Sequence, residues 1–162
     1  MEKDKISVAV VGLGFGAEFV PIYLEHPNVE SVMICDSDAE RLNTVSEKFN
    51  IKEKYTEFSD IINSGEIDAV HLVSGIPDHA EQSLDVLNSG KHCACAVPMA
   101  TSIEDIWSIV NLQKETGLNY MMMETAVYTR PFLFSKDLHD KGEFGRIQFL
   151  RGAHYQDMEG WP

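Results

Sequence analysis

The sequence has no long apolar run. No stretch of its 162 residues reaches the roughly 18 apolar residues that a helix needs to cross a bilayer. The N-terminal apolar run Ile6–Val11 is broken by Gly12 and is too short for a secretory signal peptide. We therefore expect a cytoplasmic protein with no membrane partner.

Basic residues are also scarce. The chain has 13 Lys and Arg against 26 Asp and Glu, a formal net charge of −13 and a pI near 4.7. A surface this acidic repels the phosphates of nucleic acids and of anionic lipids, so we do not expect a nucleic-acid partner. The acidic residues are dispersed, which is typical of solvated helix faces.

Cysteine is limited to Cys35, Cys93 and Cys95. The odd number, without a CxxC pair or the spacing of metal ligands, argues against a disulfide framework and against a metal site. Cys93 and Cys95 lie two residues apart on a predicted strand, which is poor geometry for a disulfide. We expect buried, reduced thiols, as is usual in the cytoplasm.

Short apolar segments alternate with helical ones along most of the chain. The predicted strands are 6–11, 30–35, 54–56, 67–73, 92–96 and 119–123. The predicted helices are 17–25, 39–49, 58–63, 78–89, 103–116 and 131–141. Largely apolar strands that alternate with helices are typical of a parallel sheet covered on both faces. We therefore predict a doubly wound α/β domain over residues 1–125.

Two helix starts carry residues that favour capping. Asp38 precedes one helix, and Ser102 precedes another with Asp105 three residues later. In the second helix the buried stripe is predicted to consist of Ile103, Ile106, Trp107 and Val110.

A glycine-rich turn follows the first predicted strand. Gly12-x-Gly14-x-x-Ala17 stands directly between that strand and a helix, the context in which this pattern indicates dinucleotide binding. Gly12 permits the tight turn, Gly14 lets the backbone approach a pyrophosphate, and Ala17 allows close packing of helix on strand. The backbone N–H groups of Phe15 and Gly16 are expected to face the anion.

An acidic residue ends the second predicted strand. Asp36 lies 24 residues after Gly12, near the spacing of a carboxylate that binds the adenosine ribose hydroxyls. Such a carboxylate repels a 2′-phosphate, which favours NAD over NADP. Asp38 fits better as the helix cap, and Arg41 is a candidate for contact with the adenine.

The fourth predicted strand is followed by a loop that should also reach the cofactor, because ligands bind at the carboxyl ends of parallel strands. The candidates in this loop are Ser74, Gly75, Ile76 and His79. His79 either contacts the cofactor or stabilises the start of the next helix. His71, in mid-strand, is expected in the core.

Together these residues resemble the Gfo/Idh/MocA family of NAD(P)-dependent oxidoreductases. The matching segments are VVGLGFGAEF, ICDSDAERL, IDAVHLVSGIPDHAEQSLDVLNSGKH and PMATSIEDIWSIV. The resemblance implies a Rossmann domain that binds NAD, with NADP less favoured, and hydride transfer on a sugar, cyclitol or related polyol. It also implies a second domain that binds substrate and forms a homo-oligomer.

The sequence departs from this family at the end of the fifth strand. Family members have Glu-Lys-Pro there, and the lysine lies close to the nicotinamide and the substrate hydroxyl. This chain has Ala96-Val97-Pro98. Ala96 and Val97 are still expected beside the cofactor, but a valine cannot transfer a proton, so acid–base catalysis from this position is lost.

Three interpretations follow from that departure. The chain belongs to an oxidoreductase that uses another acid–base residue, or it resembles the NAD-dependent glycosidases related to this family. Those enzymes also have Val-Pro, keep NAD bound and oxidise the sugar transiently. The third interpretation is a non-catalytic NAD-binding protein.

The segment after the sixth strand supplies the remaining candidates. Glu124, Tyr128 and Arg130 are expected to face the nicotinamide end of the crevice, and Tyr128 is the best replacement acid. Alternatively, Tyr128 and Arg130 only cover the hinge between two domains.

Residues 126–162 are predicted to form a hinge helix and the beginning of an incomplete α+β domain. The segment from Gly145 to Tyr155 is predicted to be its first strand, and His154 is a second acid–base candidate. One strand is not a domain, so we expect the chain to be a fragment whose end pairs with a partner chain or is mobile. We expect the 162-residue chain to bind NAD without turnover.

Overall fold

The computed structural model describes residues 5–153 together with 155, 157 and 159. The chain divides into two compact units, Met1–Glu124 and Thr125–Pro162. The strands are β1 (Ile6–Val11), β2 (Val29–Cys35), β3 (Lys54–Tyr55), β4 (Ala69–Leu72), β5 (His92–Ala96) and β6 (Tyr120–Met123). The helices are α1 (Leu13–Gly16), α2 (Val20–Glu25), α3 (Ala39–Phe49), α4 (Phe58–Asn63), α5 (His79–Asn88), α6 (Ile103–Thr116) and α7 (Arg130–Asp140).

The first unit is the predicted doubly wound α/β domain. Its six strands pair in the order β3-β2-β1-β4-β5-β6, and every pair is parallel. The strand order therefore reverses between β1 and β4, which is where such sheets bind ligands. The fold class predicted from the sequence is confirmed.

Helices cover both faces of the sheet. Successive side chains of a strand point to opposite faces, so β1 contributes Val11 to one core and Val10 to the other. The first core packs against α4, α5 and α6, and its Ile61 and Ile109 are fully buried. The second core packs against α2 and α3, with Val20 fully buried.

The predicted caps of α3 and α6 are confirmed. The Asp38 side chain accepts hydrogen bonds from the backbone N–H groups of Glu40 and Arg41. The Ser102 side chain accepts one from Asp105. Each bond satisfies a backbone donor that has no partner inside the helix, so the cap fixes where the helix begins.

The first helical segment differs from the prediction of one helix over 17–25. Instead, α1 precedes the predicted range, and α2 begins only at Val20. Pro21 lies in the first turn of α2. Proline has no backbone N–H to donate within a helix, so it suits a new first turn and not a helix interior.

The predicted buried stripe of α6 is wrong in part. Ile103 is 67% exposed and Trp107 is 57% exposed, whereas Ile109 is fully buried. Ile106 packs against the first core as expected. The helix therefore packs on the sheet with the side that carries Ile106 and Ile109. Helical spacing alone does not show which of two apolar faces is buried.

The second unit contains a 3₁₀ turn, Thr125–Tyr128, followed by α7 with Pro131 in its first turn. The strand predicted from Gly145 does not form, and residues 147–153 have no helix or strand. A strand needs a hydrogen-bonded partner, and the described part of this unit supplies none. The apolar side chains Phe149 and Leu150 are 82% and 79% exposed.

No helix in the described part of the chain is both long and apolar enough to span a bilayer.

Candidate dinucleotide-binding site

The candidate site lies at the carboxyl edge of the parallel sheet, where β1 and β4 end side by side. Gly12 follows β1 with φ at +86°, and its N–H donates a 2.9 Å hydrogen bond to the Cys35 carbonyl at the end of β2. A Cβ on Gly12 would lie 2.6 Å from both the Ser74 nitrogen and the Val73 oxygen. Only glycine allows the backbones after β1 and β4 to approach this closely.

Gly14 presents open space. A Cβ on Gly14 would meet no atom within 4 Å, although the residue lies in the tight turn. The first N–H groups of a helix have no partner inside it, so Gly14 and Phe15 in α1 offer donors at this point. The Phe15 side chain is 59% exposed. The turn thus forms a cradle that combines open space with backbone donors of the kind that bind a phosphate group.

The close packing of this segment on the strands involves Gly16 as well as the predicted Ala17. Gly16 is buried, and a Cβ there would lie 3.2 Å from Cγ1 of Val10 and 3.3 Å from Cβ of Val73. Its φ is not positive, so the residue is needed for space. Ala17 is partly buried against the second core.

Asp36 lies directly beside this turn. Its side chain is 5% exposed, and Oδ2 accepts a 2.7 Å hydrogen bond from the Leu13 N–H. Oδ1 accepts a 2.8 Å bond from the Asp38 N–H. The carboxylate is therefore held in one orientation by backbone donors from both the glycine turn and the start of α3.

Arg41 occupies the remaining face of Asp36. Its Nη1 lies 3.2 and 3.1 Å from the two Asp36 oxygens, and its Nη2 lies 3.2 Å from Oδ2 of Asp38. The Arg41 backbone N–H is the main cause that lowers the pKa of Asp38. Because the Arg41 side chain is 45% exposed, it can be displaced by a ribose hydroxyl that takes its place on Asp36.

The loop after β4 forms the opposite side of the turn. The Ser74 hydroxyl donates to Oε1 of Gln82, which fixes its direction. Gly75 and Ile76 follow in a short 3₁₀ turn, and Ile76 is 46% exposed. In this loop Gly75 and Ile76 are exposed, whereas Ser74 is partly buried against the glycine turn.

The structure does not support the cofactor contact predicted for His79. The residue is 1% exposed, and both ring nitrogens lie beside backbone carbonyls, those of Pro98 and Ser74. A side chain enclosed in this way has no free polar atom for a ligand. Its alternative interpretation, a structural role at the start of α5, agrees with this position.

At the end of β5, Ala96 is partly buried and Val97 is 41% exposed, and the Val97-Pro98 peptide bond is cis. The exposed isopropyl group of Val97 offers neither a proton nor a lone pair. Glu124 follows β6 at the same edge of the sheet and is the last residue of the first unit.

The two predicted catalytic residues, Tyr128 and His154, come after the first unit in the chain. Tyr128 belongs to the second unit, where its side chain is 66% exposed. His154 lies outside the described residues. Their assignment as acid–base residues stays a prediction. Among the described residues, no group of three His, Cys, Asp or Glu side chains is arranged to hold a metal ion.

Comparison with known proteins identifies the domain. Residues 6–124 match the model of an oxidoreductase family with an NAD-binding Rossmann fold. The chain belongs to the Gfo/Idh/MocA family. The structure of myo-inositol 2-dehydrogenase from Lactobacillus plantarum has the same fold, with a TM-score of 0.80 and 23% identity over 88% of this chain and 43% of that one.

Two further known proteins are similar to this chain. The WlbA dehydrogenase from Bordetella pertussis, solved with NADH and UDP-GlcNAcA, is 26% identical with a TM-score of 0.78, over 88% of this chain and 44% of that one. Glycosyl hydrolase family 109 protein 1 of Bacteroides fragilis is 28% identical over 170 residues, which cover 98% of this chain and 37% of that protein. The chain thus spans little more than a third of the curated relatives it matches.

Two observations of this structure agree with a dinucleotide bound at the glycine turn. Open space lies over Gly14, beside helix N–H groups, and the oriented Asp36 carboxylate lies next to the same turn. The sequence did not predict that Gly16 packs on Val10 and Val73, or that Gly12 packs on the Ser74 backbone. Both contacts join segments that are far apart in the chain.

Proposed function

We propose that this chain is the cofactor-binding part of an NAD-dependent enzyme that oxidises a hydroxyl of a sugar, cyclitol or related polyol. The observation that carries the proposal is the contact of the Gly12–Gly16 turn with Asp36, through the 2.7 Å bond from the Leu13 N–H. This contact supports the proposal because it joins the turn that would donate to the phosphates with the carboxylate that would accept from the ribose, at the switch point of the sheet.

We assign different residues to the pyrophosphate, the adenosine ribose and the nicotinamide. The N–H groups of Gly14 and Phe15 donate to the pyrophosphate, and Asp36 accepts from the adenosine ribose hydroxyls in place of Arg41. We assign Ala96 and Val97, at the end of β5, and Glu124, after β6, to the nicotinamide end of the cofactor. When bound, NAD would supply the hydride acceptor for the carbon that carries the substrate hydroxyl.

NAD is the preferred cofactor in this proposal. A 2′-phosphate on the adenosine ribose would bring negative charge to the buried Asp36 carboxylate, which is unfavourable. Arg41 reduces that repulsion without removing it, since the guanidinium is already shared between Asp36 and Asp38. NADP binding is therefore expected to be weaker and not absent.

The hydroxyl proton needs an acceptor other than residue 97. Oxidation of an alcohol releases a hydride from carbon and a proton from oxygen. The hydride goes to the cofactor, and the Val97 side chain cannot accept the proton. Tyr128 and His154 are the candidates that we propose for the proton, and both fall in the segment that the family uses to begin its substrate domain. The homo-oligomer expected for the family is assigned to that same domain.

A second function is favoured by a specific observation. The segment Val97-Pro98 resembles the NAD-dependent glycosidases related to this family, and a glycosyl hydrolase family 109 protein is among the relatives. In such a reaction the hydride is returned within the same turnover. The glycosidic bond breaks by elimination next to the transient ketone, and the cofactor ends unchanged.

The two functions are separated by their products. A longer protein, in which this chain is followed by a complete second domain, is incubated with NAD and either polyols or nitrophenyl glycosides. Net oxidation gives reduced cofactor in proportion to substrate consumed. The glycosidase-like reaction releases nitrophenol while the free cofactor stays oxidised. If NAD binds and neither product forms, the protein is a non-catalytic binder and both catalytic proposals are wrong.

A further inference from the structure

His79 occupies an unusual position between two backbone carbonyls. It is the first residue of α5, and its side chain is 1% exposed. Its Nδ1 lies 2.7 Å from the Pro98 oxygen, and its Nε2 lies 3.1 Å from the Ser74 oxygen. One carbonyl belongs to the loop after β4 and the other to the loop after β5.

The two contacts differ in what they connect. Carbonyl oxygens only accept hydrogen bonds, and a neutral imidazole has a single N–H. The shorter distance assigns that N–H to Nδ1, which donates to Pro98, 19 residues away in sequence. Ser74 is only five residues from His79, so its contact closes a local turn, whereas the Pro98 contact joins two separate loops.

These contacts continue into the glycine turn. The Gly12 backbone approaches the Ser74 nitrogen so closely that a Cβ would lie 2.6 Å from it. Ser74 is joined to His79, and His79 to Pro98, next to Val97. The loops after β1, β4 and β5 are therefore linked in series, and His79 is the central link.

We propose that His79 is a positioning residue that sets where the loop after β5, and with it Val97, lies relative to the glycine turn. The inference rests on the proposed cofactor site, because these loops are the ones that would hold the two ends of the dinucleotide. Cofactor binding requires their spacing to be fixed in advance, since ordering them on binding would cost affinity.

His71 shows what a purely structural histidine looks like in the same domain. It is also 1% exposed, but it lies within β4 and packs against Phe19 and Tyr23 of the second face. Its Nε2 has no hydrogen-bond partner among the described residues. Among the described residues it makes no hydrogen bond or ring contact with Ser74 or Pro98, so it serves as a matched control.

Three substitutions separate the hydrogen bond to Pro98 from the space that the ring fills. In His79→Asn the amide nitrogen is as many bonds from Cα as Nδ1, so the Pro98 bond is kept. In His79→Gln the amide nitrogen corresponds to Nε2, so the Pro98 bond is lost while a polar group stays beside the Ser74 carbonyl. His79→Leu keeps neither. The control His71→Leu removes an equally buried imidazole away from the loops.

The dissociation constant for NAD is measured by calorimetry at a temperature where circular dichroism shows every variant folded. We expect His79→Asn and His71→Leu to stay within about threefold of wild type, and His79→Gln and His79→Leu to weaken binding by about tenfold or more. Equal losses in all three His79 variants, or no loss in any of them, would overturn the proposal.

A second readout does not depend on the cofactor. Amide hydrogen exchange in the segment 97–102, without NAD, should be faster in His79→Gln and His79→Leu than in wild type, and unchanged in His79→Asn and His71→Leu. If wild type does not bind NAD, the proposed function fails, and this exchange pattern alone decides the positioning role. Unchanged exchange in His79→Gln would reject that role.

Discussion

The backbone N–H of Leu13 donates a 2.7 Å hydrogen bond to Oδ2 of Asp36, 23 residues further along the chain. The carboxylate therefore does two things at once. It holds the first turn of α1 in place, and it closes one side of the cradle that the turn forms. A change at Asp36 should affect both the stability of the turn and the selectivity between cofactors.

Asp36→Asn tests the charge with little change of shape. The amide oxygen can still accept from the Leu13 N–H, while the bond from the Asp38 N–H is lost. The repulsion toward a 2′-phosphate is also lost, and Arg41 is released to meet that phosphate. We expect the ratio of the NADP to the NAD dissociation constant to fall by about tenfold. The ratio is measured by calorimetric titration with both cofactors.

The control is Asp38→Asn, which changes a neighbouring carboxylate that also contacts Arg41. Asp38 caps α3 through Oδ1, which the Asn amide oxygen replaces, so this variant should lose only the ion pair with Arg41 and keep its preference for NAD. A preference for NAD that survives Asp36→Asn intact would remove Asp36 from the ribose site.

Gly14→Ala separates binding from folding. The added methyl group meets no protein atom within 4 Å, so the free energy of unfolding should change by less than about 1 kcal/mol. The same methyl group occupies the space proposed for the pyrophosphate, so the NAD dissociation constant should rise by about tenfold or more.

Gly65→Ala is the matched control, because its added methyl group also meets open space, in a surface turn after α4. It should change neither stability nor affinity. Normal NAD binding by Gly14→Ala would show that the open space above this glycine is not the phosphate site.

The acid sensitivity of the domain should depend in part on His71. Burial lowers the pKa of His71 to about 4 from its usual 6.5. Between these values the unfolded chain binds a proton that the folded chain does not, so stability falls as the pH drops from 6.5 to about 4. One such group contributes about 3 kcal/mol over that window.

Urea unfolding between pH 4 and 7 measures this contribution. His71→Leu should flatten the loss of stability over that range, whereas Tyr23→Phe should keep it. Tyr23 is the hydrogen-bond partner of His71 at 3.1 Å, but burial and not this bond shifts the pKa. Identical pH profiles for wild type and His71→Leu would contradict the assignment.

The three cysteines should be unreactive in the folded chain. Burial raises the pKa of Cys35 and of Cys93 to about 12, and it also raises that of Cys95. At pH 8 only ~10⁻⁴ of a thiol with that pKa is ionised, and the thiolate is the reactive form.

We expect a thiol-specific chromogenic disulfide to label none of the three cysteines in native protein and all of them in guanidinium chloride. Rapid labelling of one thiol in native protein would show that its part of the core opens readily.

The sequence predicted the features that depend on neighbours in the chain. The strand positions followed from apolar runs, and the caps at Asp38 and Ser102 from residues within one turn of the helix start. Pro21, which marks the start of α2, was also visible in the sequence and should have predicted the division of the first helix.

What the sequence did not predict depends on approaches between distant segments. Helical spacing could not show that Ile109, and not Trp107, meets the sheet, because α6 has apolar residues on more than one side. The glycine pattern could not show that Gly16 is the residue packed on Val10. The sequence could not show the bond from His79 to Pro98, because it spans two loops that no local pattern connects. A cofactor contact therefore stayed one of the two interpretations of His79.

The central claim is that the Gly12–Gly16 turn and Asp36 form a dinucleotide site. The most direct test is calorimetric titration of the folded 162-residue chain with NAD and, in parallel, with NADP. We expect saturable one-to-one binding of NAD and clearly weaker binding of NADP. A folded chain that binds neither cofactor would contradict it, and tighter binding of NADP would contradict the role of Asp36.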